Sequence, residues 1–289
     1  MTAMRRRRFL AIAAAFCGTA GHARPMVANW RGTALGADAS LRIEGGPDPE
    51  GALRRALLLV REAEALFSLH DPASALSRLN AAGRLDRPPS GFLDLLAICD
   101  GLHHASGGAF DPTVQPLWRA LATGGDAGEA RAAIGWDRVR HDAGAVRLGP
   151  GQALTFNGVA QGWATDRVAD ALEREGYGRA LIEIGELRAL GGPWRVGIEG
   201  EHEIGALTLD GGAVATTVPL APSGLPPGTA HVLSPDGRPP RWASVTVEAD
   251  RAVLADGWST ALALMPVAAR IPGVRRVWLT DAAGRTRSP

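Results

Sequence analysis

The chain has 289 residues, of which 46% are hydrophobic, and it contains 37 glycines and 20 prolines. This length can bury a full core, and the composition is typical of a folded, turn-rich protein rather than a disordered one. The sequence contains no lysine, which excludes a Walker-type phosphate loop and Schiff-base chemistry. The motifs H-E-x-x-H, paired C-x-x-C and G-x-S-x-G are absent as well, so the common hydrolase and structural zinc signatures are excluded.

The start of the chain has the pattern of an export signal. Four consecutive arginines from Arg5 precede an apolar stretch from Phe9 to Phe16, and small residues follow it. The arginines followed by Phe and Leu resemble a twin-arginine signal, and a general secretory signal is the alternative. We therefore expect residues 1–23 to be a signal peptide, residues 24–289 to form a single domain, and the protein to be exported to the periplasm.

The charge and cysteine content of the expected mature protein exclude two further classes. Removal of the signal would leave 27 arginines against 30 acidic residues, a net charge of about −3. We therefore expect no nucleic acid as a partner. The same cut removes Cys17 and leaves Cys99 alone, so no intramolecular disulfide can form. Cys99 lies in an apolar run and is predicted to belong to the core.

Three segments have the apolar spacing and the end signals of helices. The first is predicted at residues 49–66, where Asp48 is suited to cap the helix and a proline occupies its first position. The second begins with Ser90 as its predicted N-cap and ends near a pair of glycines. The third, at residues 159–174, has one apolar face and is followed by a glycine.

The remaining elements complete a mixed chain. A further helix is predicted at residues 255–264, and the glycine- and proline-rich residues 219–228 are predicted to form a long surface or active-site loop. This order predicts a mixed α/β (α+β) fold rather than regular β-α-β alternation. Short β-branched or aromatic runs bounded by Gly and Pro predict strands at residues 180–184, 194–198, 243–247 and 274–280.

Two motifs contain groups suited to phosphate and to a metal ion. Gly158 lies at the predicted start of a helix, where unpaired N–H groups and the positive end of the dipole favour a phosphate. The alternative is an ordinary glycine turn before an amphipathic helix. Asp256 and Thr260 are four residues apart, so a carboxylate and a hydroxyl would share one helix face and suit Mg²⁺. The alternative is that Asp256 only caps this helix.

Two further motifs are candidates for the remaining parts of a site. Ala109, Phe110 and Asp111 follow two glycines and combine a ring with a carboxylate, so they are suited to line a pocket for a flat ring. Ordinary turn chemistry is the alternative. His231 precedes a Pro/Gly turn and is a candidate general base, whereas a packed or solvated histidine is the alternative.

The order and character of these motifs resemble the ApbE family of FAD:protein FMN transferases over nearly the whole expected mature chain. The matching segments are residues 31–33, 67–80, 108–114, 157–166, 215–217, 231–237 and 255–261. The resemblance implies a single ApbE-like domain with mixed sheets flanked by helices. It also implies an enzyme, a transferase that moves FMN from FAD to a threonine of an exported flavoprotein.

The family resemblance also implies roles for individual residues. The isoalloxazine ring of FAD would lie near Ala109, Phe110 and Asp111, and the pyrophosphate near Gly158 and Gln161. Mg²⁺ would be held by Asp256, Thr260 and the Gly158 carbonyl. His231 would take the proton of the acceptor threonine.

The motif Gly-Val-Ala-Gln-Gly and residues 184–191 are most similar to NosX-like proteins, the branch that accompanies nitrous oxide respiration. This branch implies a membrane-bound NosR-like protein as a candidate acceptor. Departures from the general family pattern at Arg31, Thr155 and Gln161 motivate one alternative, an FAD-binding carrier or assembly factor without transferase activity. A further alternative is an Mg-dependent FAD pyrophosphatase.

Overall fold

The computed structural model describes residues 26–199, 203–266 and 271–289, so the predicted signal at residues 1–23 lies outside the described residues. The helices are α1 (Pro49–Phe67), α2 (Ala75–Ala82), α3 (Ser90–Ala105), α4 (Gln115–Thr123), α5 (Ala127–Ala132), α6 (Ala160–Arg174) and α7 (Ala252–Leu264). In the described ranges, none of these helices combines the length and apolar character needed to cross a bilayer.

The strands form one large antiparallel sheet and two small ones. The strands are β1 (Val27–Ala34), β2 (Ala37–Glu44), β3 (Arg84–Asp86), β4 (Arg140–His141), β5 (Ala145–Arg147), β6 (Ala180–Ile184), β7 (Leu187–Leu190), β8 (Trp194–Glu199), β9 (Glu203–Leu209), β10 (Gly212–Thr217), β11 (Ser244–Ala249), β12 (Val274–Thr280) and β13 (Thr286–Arg287). The large sheet has the order β1-β2-β6-β7-β10-β11-β12-β13, while β3-β5-β4 and the hairpin β8-β9 form separate sheets.

The large sheet has a different apolar layer on each face. Ile182 of β6 and Val247 of β11 belong to the main core, which they share with residues of α1, α3, α6 and α7. On the opposite face, Leu181 and Val214 pack with the β8-β9 hairpin in a second cluster. Because side chains alternate along a strand, β6, β7 and β10 contribute residues to both layers. The helices α6 and α7 therefore lie side by side against one face of the sheet.

The predicted helices are confirmed, with one correction at a cap. Asp48 caps α1, since its carboxylate accepts the N–H of Gly51 at 2.8 Å. Ser90, predicted to cap α3, is instead its first residue, and Pro89 occupies the N-cap without a side-chain hydrogen bond. Helix α7 begins at Ala252, three residues before its predicted start. The strand predictions are confirmed, with the segment predicted at 243–247 forming β11 at Ser244–Ala249.

Cys99 is completely buried in the core, as predicted. Burial raises the pKa of its thiol well above the ordinary value, because the thiolate would lie in apolar surroundings. The thiol is therefore a packing group rather than a nucleophile.

Candidate functional site

The candidate site lies where α6 crosses α7 and the backbones of the two helices are in contact. A Cβ atom on Gly162 of α6 would lie 2.5 Å from the carbonyl oxygen of Ala252 and 2.7 Å from the Cα atom of Val253. Both distances are shorter than real Cβ contacts, so only glycine allows the two helices to approach this closely. The crossing brings the start of α6 beside the first two turns of α7.

Asp256 lies at this crossing and is only 3% exposed. Its carboxylate oxygen Oδ2 accepts the N–H of Gly162 at 3.0 Å. Because α7 begins at Ala252, Asp256 lies in the second turn and is not the N-cap of its own helix. The alternative interpretation of Asp256 as a simple helix cap is therefore wrong.

The other two predicted metal ligands are next to each other. Thr260 follows Asp256 by one helical turn, and a Cβ atom on Gly158 would lie 2.8 Å from its hydroxyl oxygen. Because Gly158 has no side chain, the Thr260 hydroxyl can pack directly against its backbone. The structure thus places Gly158 beside Thr260, one helical turn from Asp256.

These three residues offer a carboxylate, a hydroxyl and a backbone carbonyl, all of them hard oxygen donors that suit Mg²⁺. Across the described part of the chain, no group of three or more His, Cys, Asp and Glu side chains is placed to hold a metal ion. A metal at the α6–α7 crossing would therefore depend on this mixed set of donors.

The start of α6 is only partly open to a phosphate. Its N-cap, Val159, has no side-chain cap, but the Gly162 N–H is already bonded to Asp256. The side chain of Gln161 is 7% exposed and donates to the carbonyl oxygen of Leu35 at 3.5 Å. It packs under Gly185, where a Cβ atom would lie 2.3 Å from the Gln161 amide carbon. Gln161 thus joins the helix start to the β6–β7 turn.

The turn at residues 109–111 lies near this helix start. The carbonyl oxygen of Pro112 accepts the N–H of Thr155 at 2.9 Å, which joins the turn to the segment before Gly158. Phe110 is 5% exposed and belongs to the core, whereas Ala109 is partly exposed. The ring of Phe110 therefore packs in the hydrophobic core and offers little exposed surface for a flat ring to stack on.

Asp111 takes part in turn chemistry of its own. Its Oδ1 atom accepts from the backbone N–H of Thr113 at 2.8 Å and from the Thr113 hydroxyl at 2.6 Å. The hydrogen bonds cap a short 3₁₀ turn at Pro112–Val114. The other oxygen, Oδ2, lies 3.9 Å from Nδ1 of His103.

His231 lies in a long irregular segment, residues 218–243, which follows β10. Its backbone N–H donates to the carbonyl oxygen of Pro219 at 2.9 Å, and the residue is half-buried. The segment starts beside α7, since the Thr217 hydroxyl lies 2.6 Å from the Ser259 hydroxyl. The fold therefore joins the histidine segment to the helix that carries Asp256.

Further along, the same segment is fixed from outside by Arg131 of α5. Its Nη1 atom donates to the carbonyl oxygens of Ser234 and Pro235, both at 3.2 Å. Ser234 donates its hydroxyl to the carboxylate of Asp236. Hydrogen bonds from Arg238 and Ser234 lower the pKa of Asp236. The aspartate two residues later thus supplies a carboxylate next to Ser234.

A cavity of about 510 Å³ is lined mainly by residues of this segment. Its walls include Leu117, Val232, Trp242 and the two arginines Arg131 and Arg241. Ala230 and Val232 line this cavity, but His231 between them does not. The cavity and the His231 side chain are therefore separate features of the same segment.

Two departures from the family pattern have structural partners. Arg31 of β1 is opposite Ser40, and Ser40 is opposite Glu183 of β6, so the three residues share one face of the sheet. Burial raises the pKa of Glu183, and the Arg31 charge partly opposes that rise. The hydroxyl of Thr155 accepts the N–H of Asn157 at 3.2 Å, which shapes the turn before Gly158.

Sequence reasoning missed Asp166, whose buried carboxylate joins α6 to α7. The carboxylate accepts the N–H groups of Ala252 and Val253 at 2.9 and 3.0 Å. Its sequence signals are its place in the matched segment 157–166 and its position on the buried face of an amphipathic helix, which indicates a paired charge without naming the partner.

Comparisons with known proteins agree with this architecture. The FAD:protein FMN transferase of Haemophilus influenzae is 27% identical over 240 residues, covering 71% of this chain and 69% of that protein. The Salmonella typhimurium protein of the same name is 29% identical over 234 residues, covering 69% of this chain and 67% of its own. Residues 35–276 match the sequence profile described as the ApbE family.

Solved structures have the same fold. The Pseudomonas stutzeri flavinyl transferase ApbE in its apo form superposes with a TM-score of 0.79 at 26% identity, covering 93% of this chain and 96% of that one. The Vibrio cholerae flavin transferase ApbE gives a TM-score of 0.77 at 22% identity, with 92% and 97% coverage. With the profile spanning most of the sequence and the same mixed α/β fold, the chain belongs to the ApbE family.

Proposed function

We propose that this protein is an FAD:protein FMN transferase. The observation that carries the proposal is the α6–α7 crossing, which places Gly158, Asp256 and Thr260 together in a member of the ApbE family. Curated relatives that match about 70% of the chain have this activity in their names. The transferred group would be FMN, and the acceptor a threonine of another protein.

The residues at the crossing fit a magnesium ion. Asp256 offers a buried carboxylate, Thr260 a hydroxyl, and Gly158 a backbone carbonyl, and the absence of a side chain at Gly158 lets Thr260 pack against its backbone. These groups would hold Mg²⁺, which would offset phosphate charge in the transition state. Because the chain contains no lysine, the phosphate charge would be neutralised by arginine or by the metal.

The proposed reaction exchanges one bond at phosphorus. The threonine oxygen forms a bond to the FMN phosphorus, and the bond from that phosphorus to the bridging pyrophosphate oxygen breaks. AMP leaves with the electron pair of the broken bond. FAD would lie with its pyrophosphate near Gly158 and Gln161 and its ring system near Ala109, Phe110 and Asp111.

His231 is proposed to accept the proton of the attacking threonine. A hydroxyl is a poor nucleophile until a base removes its proton, and imidazole titrates close to neutral pH. The backbone N–H of His231 donates to the carbonyl oxygen of Pro219, which fixes the backbone at this position. The adjoining Thr217–Ser259 contact fixes the start of the segment against α7.

The test is incubation of the purified protein with FAD, Mg²⁺ and a library of synthetic threonine-containing peptides. A fluorescent, covalently modified peptide supports the transferase. Release of free FMN without modified peptide would indicate an Mg-dependent FAD pyrophosphatase. Bound but unchanged FAD would indicate a carrier or assembly factor, and either of these two results contradicts the transferase.

The proposed acceptor is an exported flavoprotein that serves nitrous oxide respiration, such as a membrane-bound NosR-like protein. The support is the similarity of residues 184–191 to NosX-like proteins and the export pattern of residues 1–23. Cell fractionation tests the proposed periplasmic location, and mature protein found in the cytoplasm would contradict it. A gene for a membrane flavoprotein next to this one would support the branch.

A further inference from the structure

Asp166 is a buried carboxylate outside the residues proposed to touch substrate or metal. It lies on α6, is 2% exposed, and uses both of its oxygens. Oδ1 accepts the N–H of Ala252 at 2.9 Å, and Oδ2 accepts the N–H of Val253 at 3.0 Å. These are the first two residues of α7, whose own N-cap residue, Arg251, has no side-chain hydrogen bond to the helix. Asp166 therefore caps a helix to which it does not belong.

The cap on α7 has a counterpart in the opposite direction. Asp256 of α7 accepts the N–H of Gly162, which lies four residues before Asp166 on α6. A carboxylate of α6 thus accepts backbone N–H groups of α7, and a carboxylate of α7 accepts a backbone N–H of α6. Because charged acceptors at helix N-termini are among the stronger hydrogen bonds, the two contacts fix both the rotation and the axial position of α7.

Two arginines hold the Asp166 carboxylate in place. Arg188 of β7 donates to Oδ1, and Nε of Arg251 lies 3.2 Å from Oδ2. The Arg188 side chain is 9% exposed. The carboxylate is therefore surrounded by donors that fix it in one orientation, and it joins α6, α7 and the sheet.

We infer that Asp166 is a positioning residue for the proposed metal ligands, because its cap on α7 sets where Asp256 and Thr260 stand relative to Gly158. Asp256 is one turn beyond Ala252, and Thr260 is one turn further. A shift of α7 along its axis moves both ligands, whereas Gly158 stays with the start of α6. This inference rests on the proposed function, since it concerns the same site.

The test compares Asp166→Asn with Asp170→Asn. The first substitution keeps the side-chain shape but removes one acceptor oxygen and the negative charge. Asp170 is the matched control, since it lies one turn further along α6 and pairs with Arg251 at 2.8 Å but accepts no N–H from α7. Mn²⁺ binding in the presence of FAD is measured by electron paramagnetic resonance, together with FAD affinity in chelator and the melting temperature.

We expect Asp166→Asn to weaken Mn²⁺ binding by at least about tenfold, with FAD affinity in chelator within about twofold of the original. Asp170→Asn should leave Mn²⁺ binding within about twofold. A lower melting temperature with unchanged Mn²⁺ affinity would show that Asp166 only stabilises the fold, and it would overturn the inference. If the original protein binds no Mn²⁺, the proposed metal site itself fails.

A second variant tests the same hydrogen bond from the other side if Asp166→Asn does not fold. Ala252→Pro removes the N–H that Oδ1 accepts, and proline is well suited to the first position of a helix. Arg251 before it has φ −129° and ψ 144°, a conformation compatible with a following proline. We expect weaker Mn²⁺ binding here too, and unchanged binding in the folded variant would overturn the inference.

Discussion

At the scale of single residues, His231 is the group whose chemical role is most open to a direct test. We expect His231→Ala to keep FAD binding and to lose about 10²- to 10⁴-fold in transfer rate, the usual contribution of a general base. The measurement is single-turnover flavinylation, combined with FAD affinity and melting temperature on the same variant.

His70→Ala is the matched control, because His70 is exposed and its hydrogen bond to the Ser68 hydroxyl is made by the backbone N–H. It should leave all three quantities unchanged. If His231→Ala instead lowers melting temperature and FAD affinity together with the rate, His231 is a packing residue. Near-normal transfer would remove it from the mechanism.

Glu183 carries a pH dependence of stability. It is 7% exposed, and burial raises its pKa, although a 2.8 Å hydrogen bond from Ser40 and the charge of Arg31 oppose the rise. The folded protein therefore holds this proton to a higher pH than the unfolded chain does. Stability from this group is lost as the pH rises from the unfolded pKa, about 4.3, through the higher folded pKa.

We expect Glu183→Gln to raise the free energy of unfolding more at about pH 7.5 than at about pH 3, because the cost of the raised pKa of the buried carboxyl develops only as the pH rises above the unfolded value of about 4.3. Urea unfolding at the two pH values measures the difference. Glu62→Gln, on the exposed face of α1, is the control and should show no such trend. An equal effect of Glu183→Gln at both pH values would contradict the assignment.

Some site residues could be predicted from the sequence and others could not, for a physical reason. The distance between Asp256 and Thr260 is local, because four residues on one helix fix their relative position. The role of Asp166 depends on Ala252, 86 residues later. No local pattern encodes which helix end a buried carboxylate will meet, so only the folded structure reveals it.

At the scale of elements, the helices were more predictable than their caps. Helix α6 has a strong apolar periodicity, which sequence reasoning recovers to within one residue of its start. The error at Ser90 arises because Pro89 already takes the N-cap conformation, with φ −58° and ψ 147°, and proline has no side-chain hydrogen-bonding group to reveal it. The start of α7 was missed because its capping group comes from α6 rather than from Arg251.

The close approach of α6 and α7 predicts a strong effect of Gly162→Ala. The new methyl group would lie 2.5 Å from the carbonyl oxygen of Ala252, so the helices must separate. We expect a loss of about 1–3 kcal/mol in the free energy of unfolding, as for overpacked cores, despite the better helix propensity of alanine. Denaturant unfolding measures this loss.

Gly101→Ala is the matched control for this substitution. Gly101 is in the interior of α3 and exposed, and a Cβ atom there would meet nothing within 4 Å. We expect it to be neutral or to stabilise by about 0.4–1 kcal/mol. If Gly162→Ala is equally well tolerated, the α6–α7 contact is not as close as the structure shows.

At the scale of the whole molecule, the fold class was predictable but the sheet order was not. The strands β2 and β6 are neighbours although they are far apart in the sequence, and β8 and β9 leave the sheet to cover its other face. Periodicity marks a segment as a strand without naming its partner. The order of the predicted elements indicated the class, and the structure supplied the strand pairing and the α6–α7 crossing that brings Gly158 to Thr260.

The proposed metal site predicts that ligands stabilise the whole molecule. A ligand that binds only the folded state adds about 2.7 kcal/mol at one hundred times its dissociation constant. For a chain of this size, that gain raises the melting temperature by roughly 5 °C or more. We therefore expect Mg²⁺ added with FAD to raise the melting temperature beyond FAD alone, and chelator to reverse the additional rise.

Asp256→Ala should abolish the additional rise caused by Mg²⁺ and should abolish transfer, because the only carboxylate among the proposed ligands is removed. The variant should still fold, since loss of the hydrogen bond to Gly162 costs about 1–3 kcal/mol. Asp137→Ala, an exposed aspartate outside the site, is the control and should respond to Mg²⁺ as the original protein does. Differential scanning calorimetry with and without chelator measures the response, and full transfer by Asp256→Ala in excess chelator would refute the metal site.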